Sequence, residues 1–155
     1  MSIERAFTEC KIYELKVPAP VCIEPTATLA NAIESMRAGR SACVLVCEDK
    51  RPIGILTERD ILNKVAGENV ALDTPVRDFI TPNPQTLNAD QSLGDAIQMM
   101  DHGDYRHVPV VDNSGRVEGI ISIEDIIEFL AQSFPTEVLN IPPRQDQYMS
   151  SREGG

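Results

Sequence analysis

Two stretches of the chain hold residue types that can act together on a small ligand. They read Gly54-Ile55-Leu56-Thr57-Glu58-Arg59-Asp60 and Gly119-Ile120-Ile121-Ser122-Ile123-Glu124-Asp125. Each is a glycine, two apolar residues, a hydroxyl, two variable positions and an aspartate. The glycine lets a planar ligand or another backbone come close to a strand. The hydroxyl falls where a helix is expected to start, so orphan N–H groups and the helix dipole favour an anion beside it. The aspartate, one turn further on, can accept two hydrogen bonds from a sugar diol. The same hydroxyl-x-x-acid spacing is that of a capping box, and both roles can hold at once.

The two stretches differ in charge. Arg59 in the first is matched by Glu124 in the second, and Arg106-His107 correspond to Ala42-Cys43. An arginine offers a phosphate a planar, permanently charged fork, whereas a glutamate repels it. The cleft carrying Arg59 and Asp60 is therefore expected to be the tighter anion site, while Arg106 and His107 fit either cleft. Tyr105 either stacks on a base or covers a strand edge.

Other chemistry is poorly supported. His102 and His107 with Cys43 and Cys47 lack zinc-ligand spacing. Cys43 and Cys47 sit in an apolar run without a base to activate them. No catalytic and no metal-ligating residues are assigned, and no enzymatic activity is expected.

The elements that position these stretches are written twice. Leu29, Ala32, Ile33 and Met36 form one apolar helical face, and Leu93, Ala96, Ile97 and Met100 repeat it 64 residues later. Thr28 and Ser92 stand ahead of the two faces as N-caps, Ser92 with Asp95 three residues on, and Gly39 and Gly103 are expected to close the helices. Strands follow at 43–47 and 107–111, then polar turns, returning strands around Gly54 and Gly119, and second helices with faces Ile61, Leu62, Val65 and Ile126, Ile127, Leu130. Each copy reads strand, helix, strand, strand, helix. A half-size unit this apolar cannot cover its own sheet, so two copies are expected to pack about a pseudo-twofold axis in one α/β (α+β type) module. Expected boundaries are 1–66 for the first repeat with its lead-in, 67–75 for a connector, 76–132 for the second repeat and 133–155 for an extension. That extension is expected to be disordered from about 142, where little can be buried.

The whole pattern resembles a tandem pair of cystathionine-β-synthase-type (CBS) domains, a Bateman module, over residues 10 to 132. Further pieces carry the likeness: Ile23-Glu24-Pro25, Val76-Arg77-Asp78-Phe79-Ile80-Thr81, Thr81-Pro82-Asn83-Pro84 and Tyr105-Arg106-His107-Val108-Pro109-Val110. The resemblance implies a regulatory module that binds AMP, ADP or ATP, or a related adenosyl ligand, in clefts between the repeats. S-adenosylmethionine and NAD stay open. It implies hydroxyl and aspartate contacts to phosphate and ribose from Thr57, Asp60, Ser122 and Asp125, with apolar strand residues sandwiching the adenine. The ligand-binding set carried over is completed by Ile23, Pro25, Ile55, Arg59, Thr81, Tyr105, Arg106, His107, Pro109 and Ile120. A homodimer, often a flat disc of four repeats, is implied as well. The alternative is a ligand-free dimerisation scaffold in which both hydroxyl/aspartate pairs are only caps.

Bulk properties agree with an acidic globular chain. At 155 residues there is room for one ordinary domain or two halves sharing a core. The net charge of −10 repels phosphate backbones and no Lys/Arg run offsets it, so nucleic-acid binding is not expected. The charged N-terminus MSIERAFTEC and the lack of any membrane-length apolar stretch predict a soluble cytoplasmic protein without membrane contact. Cys10, Cys22, Cys43 and Cys47 read as reduced thiols. Residues 1–15 and 133–155 are too short for an effector domain, so any regulated protein is expected to be a separate chain.

Overall fold

The computed structural model describes residues 2–134; the expected tail from about 142 lies outside them. After helix α1 (Ile3–Glu9) and a short turn at Ile12–Glu14, the first repeat runs β1 (Cys22–Ile23), α2 (Leu29–Ala38), β2 (Cys43–Glu48), β3 (Arg51–Thr57) and α3 (Glu58–Asp60). The second runs β4 (Thr81–Pro82), β5 (Leu87–Asn88), α4 (Leu93–Gly103), β6 (His107–Val111), β7 (Val117–Ser122) and α5 (Ile123–Ser133). The result is a mixed α/β fold with two small sheets, ordered β1-β2-β3-β4 and β5-β6-β7.

α2 and α4 start where the sequence places them. Thr28 and Asn31, and Ser92 and Asp95, exchange side-chain and backbone hydrogen bonds that satisfy orphan donors of the first turn. Leu29, Ala32 and Met36, and likewise Leu93, Ala96 and Met100, turn into the cores. The C-terminal ends differ from expectation. Gly39 is right-handed, Gly103 is the last helical residue, and the left-handed residue is the next one in each case, Arg40 (φ 49°) and Asp104 (φ 54°). A left-handed residue commonly turns the chain out of a helix, and here a non-glycine takes that position.

Each repeat lends its lead-in to the other. The Leu93 amide, at the first turn of α4, donates to the Cys10 carbonyl, and Leu29 of α2 donates to Thr74. Ile12 donates to Gln91 and Val76 to Ala27, again 64 residues apart. The apolar side chains follow: Ala6, Cys10, Ile12 and Leu15 join the second repeat's core, while Val76 joins the first. The exchange reaches the sheets, where β4 pairs with β3 and Ile120 donates to the Pro18 carbonyl at 3.3 Å. It accounts for both motif glycines. A Cβ on Gly54 would overlap Ile80, and one on Gly119 would stand 2.6 Å from Val17 Cγ1 and 2.9 Å from the Pro18 oxygen. Both glycines make room for the exchanged lead-ins, Gly54 for the Ile80 side chain and Gly119 for the Val17 side chain and the Pro18 carbonyl.

The second helices depart from the expected symmetry. α5 is regular over eleven residues, but α3 passes after one turn into a π-helical turn, Ile61–Val65, where the Ala66 amide donates to Ile61. Leu62 and Ile127, expected on core faces, are 68% and 59% exposed. Ile126 and Ile61 hold the inward positions instead. Between the two sheets, Cys43, Leu45, Ile55 and Ile120 form a third apolar cluster. No helix among the described residues is long and apolar enough to cross a membrane.

Candidate functional site

A cavity of about 720 Å³ opens where the start of α3 faces the loop before β6. It is lined by Ile55, Thr57, Arg59, Asp60, Thr81, Tyr105, Arg106 and His107 from the expected ligand-binding set. Arg106 and His107 are thereby placed with Thr57 and Asp60, an assignment the sequence left open. Ile23, Pro25, Pro109, Ile120, Ser122 and Asp125 lie outside this cavity. Ile23 lies on β1 and Pro25 in the turn after it. Pro109 and Ile120 face each other across β6 and β7, and Ile120 is buried between the sheets.

At the start of α3, sequence spacing creates a closed exchange. Thr57 donates its amide and hydroxyl to Asp60 Oδ2 at 2.9 and 3.1 Å, and accepts from the Asp60 amide at 3.2 Å. Asp60 Oδ1 stands 3.4 Å from Lys64 Nζ. The Glu58 amide donates to the Ala42 carbonyl. The helix start is thus capped from within by Oδ2, and Oδ1, which faces Lys64, is the Asp60 oxygen outside the capping exchange. Ser122 and Asp125 repeat the exchange at 2.8 and 3.1 Å.

Charge in the cavity is paired once across the repeats and once within the second. Arg59 Nη1 lies 3.8 Å from Asp104 Oδ2, and Arg106 pairs with Glu124. The expectation that Arg59 and Glu124 belong to separate clefts is corrected here, since both line the same cavity. Repeat symmetry makes them equivalent in sequence while bringing both helix starts toward one opening. Glu58, Asp60, Asp104 and Glu124 supply four carboxylates against the guanidiniums of Arg59 and Arg106. Burial holds the His107 imidazole below its usual pKa, opposed by the nearby Glu124 carboxylate. The Tyr105 ring lies over Gly103, where a Cβ would overlap it, and edges the cavity at the same time.

Sequence reasoning passed over Asn83, Pro84, Gln85 and Asp104 as lining residues. Asn83 carried a usable signal: it adopts φ 51°, which asparagine tolerates well, and its amide donates to Ile53. A smaller hollow of about 370 Å³ between α2 and Glu58 takes Arg37, Arg40 and Ser41 into its wall, and shares only Ala42 and Glu58 with the large cavity.

A family model described as CBS domain matches residues 12–67 and 76–132. An uncharacterised 17.7 kDa protein of Acidianus ambivalens is 29% identical over 121 residues, covering 77% of this chain and 73% of that one. The chain spans 54% of the length of a Methanopyrus kandleri relative, 33% identical over 106 residues, which covers 67% of this chain. Among solved structures, a CBS domain protein of Pyrobaculum aerophilum complexed with AMP is 29% identical with a TM-score of 0.69, covering 79% of this chain and 98% of that one. A CBS-domain-containing protein of Agrobacterium tumefaciens is 31% identical with the same TM-score, over 77% and 98% of the two chains.

Proposed function

We propose, from the premise that this chain belongs to the CBS domain family and carries two CBS domains in tandem, that its large cavity takes a regulatory adenosyl ligand. The observation that carries this reading is the convergence of Thr57, Arg59 and Asp60 from one repeat with Tyr105, Arg106 and His107 from the other. Asp60 Oδ1 suits a ribose hydroxyl, Arg59 and Arg106 suit a phosphate, and the Ile55 and Tyr105 side chains suit the flat faces of a purine. The AMP complex of the Pyrobaculum aerophilum relative supports the same ligand class.

The charge of the cavity refines the choice among AMP, ADP and ATP. Four carboxylates against two arginines disfavour each added phosphate. AMP, or an adenosyl compound without a polyphosphate, is therefore the preferred ligand, and ATP the weaker one. The module acts as a sensor rather than a catalyst. Ligand that bridges the repeats shifts their relative arrangement by its differential affinity for the two states, and a separate effector protein reads the shift.

A ligand-free scaffold is the second reading, favoured by one observation: both aspartates are already engaged in complete capping exchanges. Calorimetric titration of AMP, ADP, ATP and S-adenosylmethionine decides between them. The sensor reading expects AMP to bind more tightly than ATP, and Arg59→Ala to weaken AMP. Heat of binding absent for all four ligands supports the scaffold, and ATP tighter than AMP overturns the charge argument.

A further inference from the structure

Cys22 and Cys47 are 25 positions apart in the chain, yet their Sγ atoms stand 3.5 Å apart. The register is responsible. β1 runs parallel to β2 with Cys22 beside Leu45, and Leu45 shares with Cys47 the face of β2 that turns toward the other sheet. Cys22 is exposed and Cys47 half-buried, whereas Cys10 and Cys43 are buried. An inert pair of packing thiols would be shut away from solvent on both sides; this pair has one member in the open.

We propose that Cys22 and Cys47 form a redox-active dithiol site, with a hydroperoxide as its substrate class and an intrachain disulfide as its product. The Cys22 thiolate attacks one peroxide oxygen and the O–O bond breaks. The other oxygen leaves with a proton as an alcohol, or as water when the oxidant is hydrogen peroxide. Cys22 becomes a sulfenic acid. The Cys47 sulfur then attacks the Cys22 sulfur, the S–S bond forms, the S–O bond breaks, and the oxygen departs as water with the Cys47 proton. Two thiols are oxidised by two electrons in total, and one hydroperoxide is reduced.

The division of labour follows from the same contact. The hydrogen bond from Cys47 lowers the Cys22 thiol to about 7, so near neutral pH the exposed sulfur is the nucleophile. The same contact and burial raise the pKa of Cys47, which keeps its proton until it resolves the sulfenic acid. Cys43, pushed up to about 11 by burial, stays out of the reaction. A disulfide has an S–S distance of about 2.05 Å, so the sulfurs close by roughly 1.5 Å. β1 is a two-residue edge strand with few ladder bonds to resist that adjustment. The bridge fastens β1 to β2 on the face toward the second repeat.

The test treats the full chain with hydrogen peroxide and follows thiol titration, intact mass and tryptic peptides without reductant. The expected result is a loss of two thiols and about 2 Da from the loss of two hydrogens on forming one disulfide. Peptide 17–37 is then linked to peptide 41–50, with fragmentation placing the link at Cys47. Thiol reductant restores the starting mass. Cys22→Ser and Cys47→Ser each abolish the link, and Cys22→Ser also removes the fast phase of oxidation. A link at Cys43, a covalent dimer joining two copies, or sulfenic and sulfinic adducts without a crosslink would each overturn the proposal.

Discussion

Arg59 of the first repeat reaches Asp104 of the second, with Nη1 3.8 Å from Oδ2, across the mouth of the cavity. The pair is exposed and long, so it contributes little to stability. Its importance is competitive: a phosphate that uses Arg59 must draw it from Asp104, as one that uses Arg106 must draw it from Glu124.

Removing the competitor should therefore improve binding. Asp104 occupies a left-handed backbone position, φ 54°, which asparagine also tolerates. Asp104→Asn is expected to leave the fold intact and tighten AMP several-fold. Arg59→Ala is expected to weaken AMP by roughly tenfold or more, the scale of one charge-assisted hydrogen bond. Calorimetry on the two variants checks both, and AMP binding unchanged in both would remove Arg59 from the site.

Capping and binding separate by comparing the repeats. Thr57 and Ser122 make the same exchange with Asp60 and Asp125, but only Thr57 lines the large cavity. Thr57→Ala and Ser122→Ala should each cost about 1 kcal/mol in urea unfolding. Only Thr57→Ala should also weaken AMP. Equal loss of affinity in both variants would mean that binding follows stability rather than contact.

Much of this arrangement is legible in the sequence, for reasons visible at particular residues. The α2 and α4 faces show because burial imposes a 3.6-residue period on Leu29, Ala32 and Met36 and on their counterparts. Ser92 and Asp95 show because a reciprocal cap needs both residue types at fixed spacing. The exchange of lead-ins leaves no such mark: Leu93 to Cys10 is a backbone bond, to which any residue contributes equally. That Glu124 shares a cavity with Arg59 is not legible, because a repeat alignment gives equivalence, not position. The Cys22 and Cys47 contact depends on the register of two parallel strands, which their spacing of 25 does not encode.

His107 makes stability and binding depend on pH in opposite senses. Its folded pKa is lowered chiefly by burial, with Arg106 lowering it further and Glu124, Asp125 and Glu58 opposing. The unfolded chain, with a histidine pKa near ~6.5, thus binds the proton first. Stability should be level above that value and fall as pH drops through it toward the folded pKa. His107→Gln should flatten that part of the profile in urea unfolding between pH 7.5 and 5.5. AMP, whose phosphate favours the imidazolium, should bind the native chain more tightly as pH falls and take up a proton. Calorimetry in buffers of different ionisation heat detects that uptake, and an uptake unchanged in His107→Gln would place the phosphate away from His107.

Leu62 and Ile127 stand at matching positions of the two second helices and are both largely exposed. A second copy of the chain covering them would explain their apolar character. Leu62→Asp combined with Ile127→Asp is expected to convert a dimer to a monomer in sedimentation velocity while leaving the circular dichroism spectrum unchanged. A wild-type chain that sediments as a monomer at micromolar concentration would rule the interface out.

The motif glycines allow a test of the exchanged lead-ins themselves. The nearest atoms a Cβ at Gly54 meets belong to the Ile80 side chain, whereas one at Gly119 meets the Val17 side chain and also the Pro18 carbonyl, which is backbone. Neither glycine has positive φ, so the cost of alanine comes from overlap rather than from strain. Both substitutions should destabilise by about 1–3 kcal/mol, as overpacking does. The rescue should differ. Ile80→Val shortens the obstructing side chain, and in the Gly54→Ala background it should return much of the loss, giving a favourable coupling of about 1 kcal/mol in a double-mutant cycle. Val17→Ala in the Gly119→Ala background should return less, because the Pro18 oxygen stays 2.9 Å from the new methyl. Additive effects for Gly54 and Ile80 would mean that the second repeat's lead-in does not lie on β3.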